Sequence, residues 1–157
     1  MSAETIFDGK LITVVVDDGK EMVRHADAVA IVAVDREQRL VLVRQERPAA
    51  RATVLELPAG LLEEGESPLE CARRELQEET GLRGGRWEEV ASFFTTPGFC
   101  DERVHLFVAT GLEEGEASPD AGEELEVVRV AAAALPGLVP ELEDAKTVAG
   151  ILLYLRR

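Results

Sequence analysis

The sequence predicts an α+β fold, arranged as an α/β/α sandwich around a mixed sheet. Three observations point there. Short apolar runs bounded by Gly, Pro and Asp recur along the chain, a helix with clear signals at both ends interrupts them, and a stretch with an apolar face at helical spacing follows the last of them. A chain of 157 residues fits one domain with a real core. Residues 1–157 are read as that domain, with residues 1–25 forming an N-terminal β extension.

The segment Thr5–Arg24 alternates and breaks at Asp17-Asp18-Gly19-Lys20, a hairpin signal in which Asp-Gly supplies the turn. Ala28–Val34 is an unbroken apolar run that suits a buried strand. Asp35-Arg36-Glu37-Gln38 then turns the chain into a second run, Arg39–Val43. Thr53–Leu57 is a short strand stopped by Pro58-Ala59-Gly60. The helix that follows has Ser67 as N-cap, Pro68 at its first position and Glu70 completing a capping box; Gly81 ends it. Strands are expected near Val90–Phe94, Val104–Thr110 and Leu125–Val130. An acidic loop, Glu113–Glu124, joins the last two. The final helix is expected over Leu142–Leu155.

Composition removes several function classes. No apolar run approaches the ~20 residues of a membrane helix. The start, MSAETIFDGK, is acidic and lacks the order of a signal peptide, so a cytoplasmic protein with no membrane partner is expected. Cys71 and Cys100 lie far apart without a CxxC pattern and read as two reduced thiols. A formal charge of −14 repels a nucleic-acid backbone, so no nucleic-acid polymer is expected as partner. The same charge serves solubility or supplies carboxylates for divalent cations, and position has to decide between these.

Steps of 100° along the helix put Leu69, Ala72 and Leu76 on one apolar stripe. Glu75, Glu78 and Glu79 fall together beside it. Arg74 can pair with Glu78 four residues on, and Glu70 with Arg74. Like-charge neighbours cost a few tenths of a kcal/mol each on an exposed helix, and more where water is excluded. A divalent cation relieves that repulsion. Mg²⁺ suits the edge, because it takes carboxylate oxygens and completes its shell with waters and substrate phosphates. For an isolated Glu-Glu run a solvated acidic face is the ordinary account, and the surrounding residues change the weighing.

The segment GLLEEGESPLECARRELQEETGL, Gly60 to Leu82, resembles the Nudix box G-x5-E-x7-R-E-U-x-E-E-x-G-U, where U is a bulky aliphatic. Gly60, Glu66, Arg74, Glu75, Leu76, Glu78, Glu79, Gly81 and Leu82 all match. The resemblance implies a loop–helix–loop catalytic motif set on a mixed sheet. It implies Glu75 and Glu79 as main metal ligands, Glu78 sharing a second metal, and the Ala59 carbonyl completing a shell. Glu78 and Glu79 thereby take part in catalysis. Arg74 would hold the glutamates, Glu66 would be structural, and Gly60 would let the backbone approach the substrate site. The implied cofactor is Mg²⁺, with Mn²⁺ able to substitute.

Features outside the box resemble the ADP-ribose pyrophosphatase branch: LVRQERPA, LELPAG, Pro97-Gly98 followed by Asp101-Glu102, and EDAKTVAGILLYL. That likeness implies hydrolysis of ADP-ribose to AMP and ribose 5-phosphate. It assigns Arg47 and Glu102 to substrate binding and Pro97 to support of the site. Glu123 is the choice for general base, with Glu124 second. The resemblance also implies a homodimer, the usual state of the family, often with exchanged N-terminal strands, and Lys20 and Glu21 are the candidates to reach a partner's substrate. The region before Ala28 is shorter here than in many relatives. Two other readings stand beside this one: a different nucleoside diphosphate sugar or dinucleotide as substrate, or a Nudix-like binding module without turnover.

Overall fold

In the computed structural model the described residues are 3–118 and 124–157. A three-stranded antiparallel sheet comes first: β1 (Glu4–Asp8), β2 (Ile12–Asp17) and β3 (Lys20–His25). The expected hairpin is β2–β3, with Asp17 opposite Lys20 and positive φ at Asp18 and Gly19. The chain turns at Gly9, whose N–H donates to the Ile12 carbonyl, so the extension is a meander of three strands rather than one hairpin.

The main sheet is mixed. Its strands are β4 (Ala28–Val34), β5 (Arg39–Arg47), β6 (Ala52–Glu56), β7 (Ala59–Leu61), β8 (Arg83–Phe94), β9 (Arg103–Glu113) and β10 (Leu125–Ala131). The order runs β10-β5-β4-β9-β8, with β6 paired to β5 and β7 to β4. Only β4 and β9 run parallel among these pairings, and α1 (Pro68–Thr80) lies between them in the chain. Short turns of helix, including α2 (Leu135–Leu138), lead to α3 (Ala145–Leu155).

β4 explains the layering. Every one of its residues is buried, and successive side chains point to opposite faces. Ala28, Ala30, Val32 and Val34 join Leu106, Leu135 and Ile151 in the core under α2 and α3. Val29, Ile31 and Ala33 join Phe107, Ala72 and Leu76 in the core under α1. Each fully buried aliphatic side chain contributes about 1.5–3 kcal/mol, so one strand anchors both helical layers. The expected sandwich is therefore present.

Helix α1 starts and stops as its sequence dictates. Ser67 and Glu70 form the reciprocal capping box, and Gly81 closes the helix at φ 75° with its N–H on the Gln77 carbonyl. Glu70 is thus committed to Ser67, not to Arg74 as its spacing allowed. β8 begins seven residues before the expected Val90, straight after α1. Its first half, Arg83–Glu89, is an edge strand rich in Gly and charge, so no apolar alternation announces it.

The β4–β5 turn is held by a buried acid. Asp35 Oδ1 accepts from the Glu37 and Arg39 N–H groups, both at 2.9 Å, and Oδ2 accepts from Arg39 Nε at 2.9 Å. Burial raises the Asp35 carboxyl pKa, but these donors and the Arg39 charge outweigh it and leave the group below its ordinary value. A depressed acid contributes stability that is complete above its unfolded value of about 4 and is lost as pH falls through the lower folded value. Asp35→Asn is therefore expected to lower stability at pH 7 and to flatten its decline below about pH 4. Urea unfolding from pH 2 to 7 tests this, and parallel profiles for the two proteins would refute it.

Candidate active site

The wall of the site is the segment after β6. Pro58 stops β6, yet its carbonyl still accepts from the Ile31 N–H at 2.9 Å, so the break stays tied to β4. β7 then pairs with β4, Gly60 opposite Val29. Helix α1 packs across both strands. The Glu75 carboxyl occupies the volume that a Cβ on Gly60 would fill, so this close approach requires glycine. Glu79 is 7% exposed, and its Oε2 accepts from the Ala59 N–H at 3.3 Å.

Arg74 organises the acids. Its Nε and Nη2 meet both Glu66 oxygens at 2.9 Å in a bidentate pair. Nη1 reaches Glu75 at 2.7 Å and Glu78 at 3.1 Å, and Nη2 also donates to the Leu61 carbonyl. The Arg74 hydrogen bonds hold the Glu66 carboxyl at about 2, while Glu66 and Glu75 push the guanidinium pKa up. Cys71 is buried beneath this cluster, its thiol donating to the Leu61 carbonyl. Burial and the Glu66 charge raise that thiol to about 12, which makes it inert packing.

These residues open onto a cavity of about 730 Å³, a size suited to a small ligand. Ala59, Gly60, Arg74, Glu75, Glu78 and Glu79 line it. So do Arg47 and Glu102, which the sequence had also placed at the site. Glu102 accepts from Thr95 Oγ1 at 2.6 Å and lies 3.5 Å from His25 Nδ1. Arg47 pairs in bidentate fashion with Glu56, at 2.6 and 2.9 Å. Burial pushes the Glu56 carboxyl up, but Arg47 and Lys146 outweigh it and hold it below its ordinary value. His25, Asp144 and Lys146 also face the cavity and were not singled out as site residues from the sequence. A charged residue inside the strand LELPAG was the available signal for Glu56.

Other expected residues stand apart. Lys20 and Glu21 are exposed at the β2–β3 turn, outside this cavity. Pro97 sits in the Thr96–Cys100 turn, whose neighbours Thr95 and Thr96 line the cavity. Glu124 is exposed just before β10, and Glu123 lies outside the described residues. His105 is a hydrogen-bonded strand residue, its Nδ1 2.7 Å from Glu89. A second cavity of about 440 Å³ lies at the other end of β4, between Asp35–Arg39 and Leu112–Glu114.

Among the described residues, no three acidic, His or Cys side chains stand close enough to share one ion. Arg74 draws Glu75 and Glu78, while Glu79 turns to the Ala59 N–H. The donors nonetheless fit a hard divalent cation. They are carboxylate and carbonyl oxygens only, and Gly60 keeps a side chain out of the space Glu75 uses.

Comparison with known proteins gives the family and the fold. The family model described as NUDIX domain matches residues 24–149. An ADP-ribose pyrophosphatase of Bacillus subtilis (strain 168) is 40% identical over 164 residues, covering 96% of this chain and 89% of that protein. A methanol dehydrogenase activator of Bacillus methanolicus is 37% identical over the same shares of the two chains. A solved structure, a crystal structure of ADP compounds hydrolase, superposes with TM-score 0.83 at 25% identity and covers 99% of this chain and 91% of its own. With the box intact on α1 and its flanking loops, the chain belongs to the Nudix hydrolase family.

Proposed function

We propose that this protein hydrolyses ADP-ribose to AMP and ribose 5-phosphate with Mg²⁺, in the cytoplasm and as a homodimer. Nudix hydrolases need a divalent metal and act on small nucleoside diphosphate derivatives. The observation that carries the reading is the meeting of the box glutamates with Arg47 and Glu102 on one cavity. The 40% identity to an ADP-ribose pyrophosphatase supports the substrate. Among the described residues no helix is long and apolar enough to cross a membrane.

Each residue then has a task. Glu75, Glu78, Glu79 and the Ala59 carbonyl would hold the metal, and Arg74 fixes two of these carboxylates. A bound divalent cation neutralises diphosphate charge and acidifies a water. Arg47 takes a substrate phosphate, and Glu102 contacts the substrate beside it. A carboxylate oxygen of Glu123, or of Glu124, takes the proton from the attacking water. The water oxygen bonds to one phosphorus as the P–O–P bridge breaks, giving the two monophosphates. Gly60 keeps the wall thin, Glu66 anchors Arg74, and Pro97 shapes the turn beside Thr95 and Thr96.

β1 exposes Ile6 and Phe7 at 58% and 55%, and the turn after it exposes Leu11 at 61%. An apolar surface of this kind supports contact with a second copy, with Lys20 and Glu21 reaching the partner's substrate.

Three outcomes are expected. A panel of ADP-ribose, other nucleoside diphosphate sugars and dinucleotides with Mg²⁺ should give the highest kcat/KM for ADP-ribose, with AMP as product. Preference for another compound would replace the substrate, and no turnover with any would revive a binding module. Glu79→Gln should cut kcat by ~10³-fold or more, about 4 kcal/mol of transition-state stabilisation. Natural activity at limiting Mg²⁺ would remove Glu79 from the metal site. Sedimentation should give twice the chain mass, and a monomer at micromolar concentration would sink the dimer.

A further inference from the structure

Glu56 is 2% exposed and shared between two cations from distant segments. Arg47 takes it side-on through Nε and Nη2. Lys146 Nζ takes Oε2 from another direction at 2.6 Å and Asp144 Oδ1 at 2.8 Å. Asp144 is the N-cap of α3, where Oδ2 also accepts from the Thr147 N–H and hydroxyl. Thr147 Oγ1 in turn accepts from the Leu57 N–H at 2.8 Å. The first turn of α3 therefore grips two consecutive residues, Glu56 by its side chain and Leu57 by its backbone.

Arg47 is 42% exposed in its side chain, whereas Lys146 is 20% exposed. A half-exposed arginine whose one acceptor is itself free to move keeps rotamer freedom that a ligand must then remove. Fixing the acceptor from a second side removes that freedom before any ligand arrives. We propose that Lys146 is a positioning residue for substrate binding, fixing the Arg47 guanidinium at the cavity by sharing the buried Glu56 carboxylate with it. This rests on the reading of Arg47 as the phosphate contact. The fourth charged residue of the set, Asp144, holds the lysine ammonium from a second side.

A double-mutant cycle tests it with the full chain, ADP-ribose and Mg²⁺. Lys146→Met should raise KM about 5–10-fold with kcat within about twofold. Arg47→Met should raise KM at least as much. Adding Lys146→Met to Arg47→Met should change KM by less than about twofold, because the lysine has nothing left to position. Lys146→Arg should recover part of the loss. Reduced folding alone lowers apparent kcat through the active fraction and leaves KM in place, and thermal unfolding of each variant measures it. A natural KM for Lys146→Met would overturn the proposal. The same KM factor with and without Arg47 would overturn it too, by making the lysine an independent contact. A natural KM for Arg47→Met alone would remove Arg47 as contact and the proposal with it. If the natural chain shows no turnover, the functional reading fails instead, and equilibrium binding of ADP-ribose by the same four proteins completes the cycle.

Discussion

One guanidinium decides whether the acidic end of this site can exist. Glu66, Glu75 and Glu78 crowd a partly buried edge, and Arg74 meets all three within 3.1 Å. Without it, like charges would face one another on an edge where water screens less well than at an open surface. The fourth contact, to the Leu61 carbonyl, ties the same group to β7. Arg74 therefore joins helix, loop and sheet through one planar fork, a task that a lysine's single ammonium could not perform.

The fold brings two helices to one short stretch of backbone from opposite layers. From one side, α1 presents Glu79 to the Ala59 N–H and Glu75 to the bare face of Gly60. From the other, α3 presents Lys146 to Glu56 and Thr147 to the Leu57 N–H. The Pro58 carbonyl between them is held by β4. Residues 56–60 have almost no freedom left. A doubly buried strand makes this possible, because β4 packs against α1 on one face and α3 on the other.

The legible parts of the chain are those whose physics is local. The bounds of β4 follow from an unbroken apolar run, and those of α1 from its capping box and terminal glycine. The box lies within one helix and its flanking loops, so its glutamates could be gathered by counting. The turn at Gly9, the short β7 and the polar half of β8 lack periodicity and went unseen. The Glu56 network is invisible for a different reason. Its partners are separated by nine residues in one direction and ninety in the other, and only the packing of α3 on the sheet brings them together. Glu123, chosen for its place in the loop before β10, lies outside the described residues.

The charge pattern around Arg47 has a further logic. Arg47 feels the attraction of Glu79 as well as of Glu56 and Asp144. An uncommitted arginine at this distance from the box would pair with its carboxylates directly and compete with a cation for the same oxygens. Glu56 prevents that by holding two of the guanidinium nitrogens in a bidentate pair. Lys146 compensates the extra negative charge, and Asp144 compensates the lysine. The four groups sum to zero. A guanidinium can therefore stand beside a cluster of glutamates without collapsing onto it, and the two sides of the cavity stay electrostatically distinct.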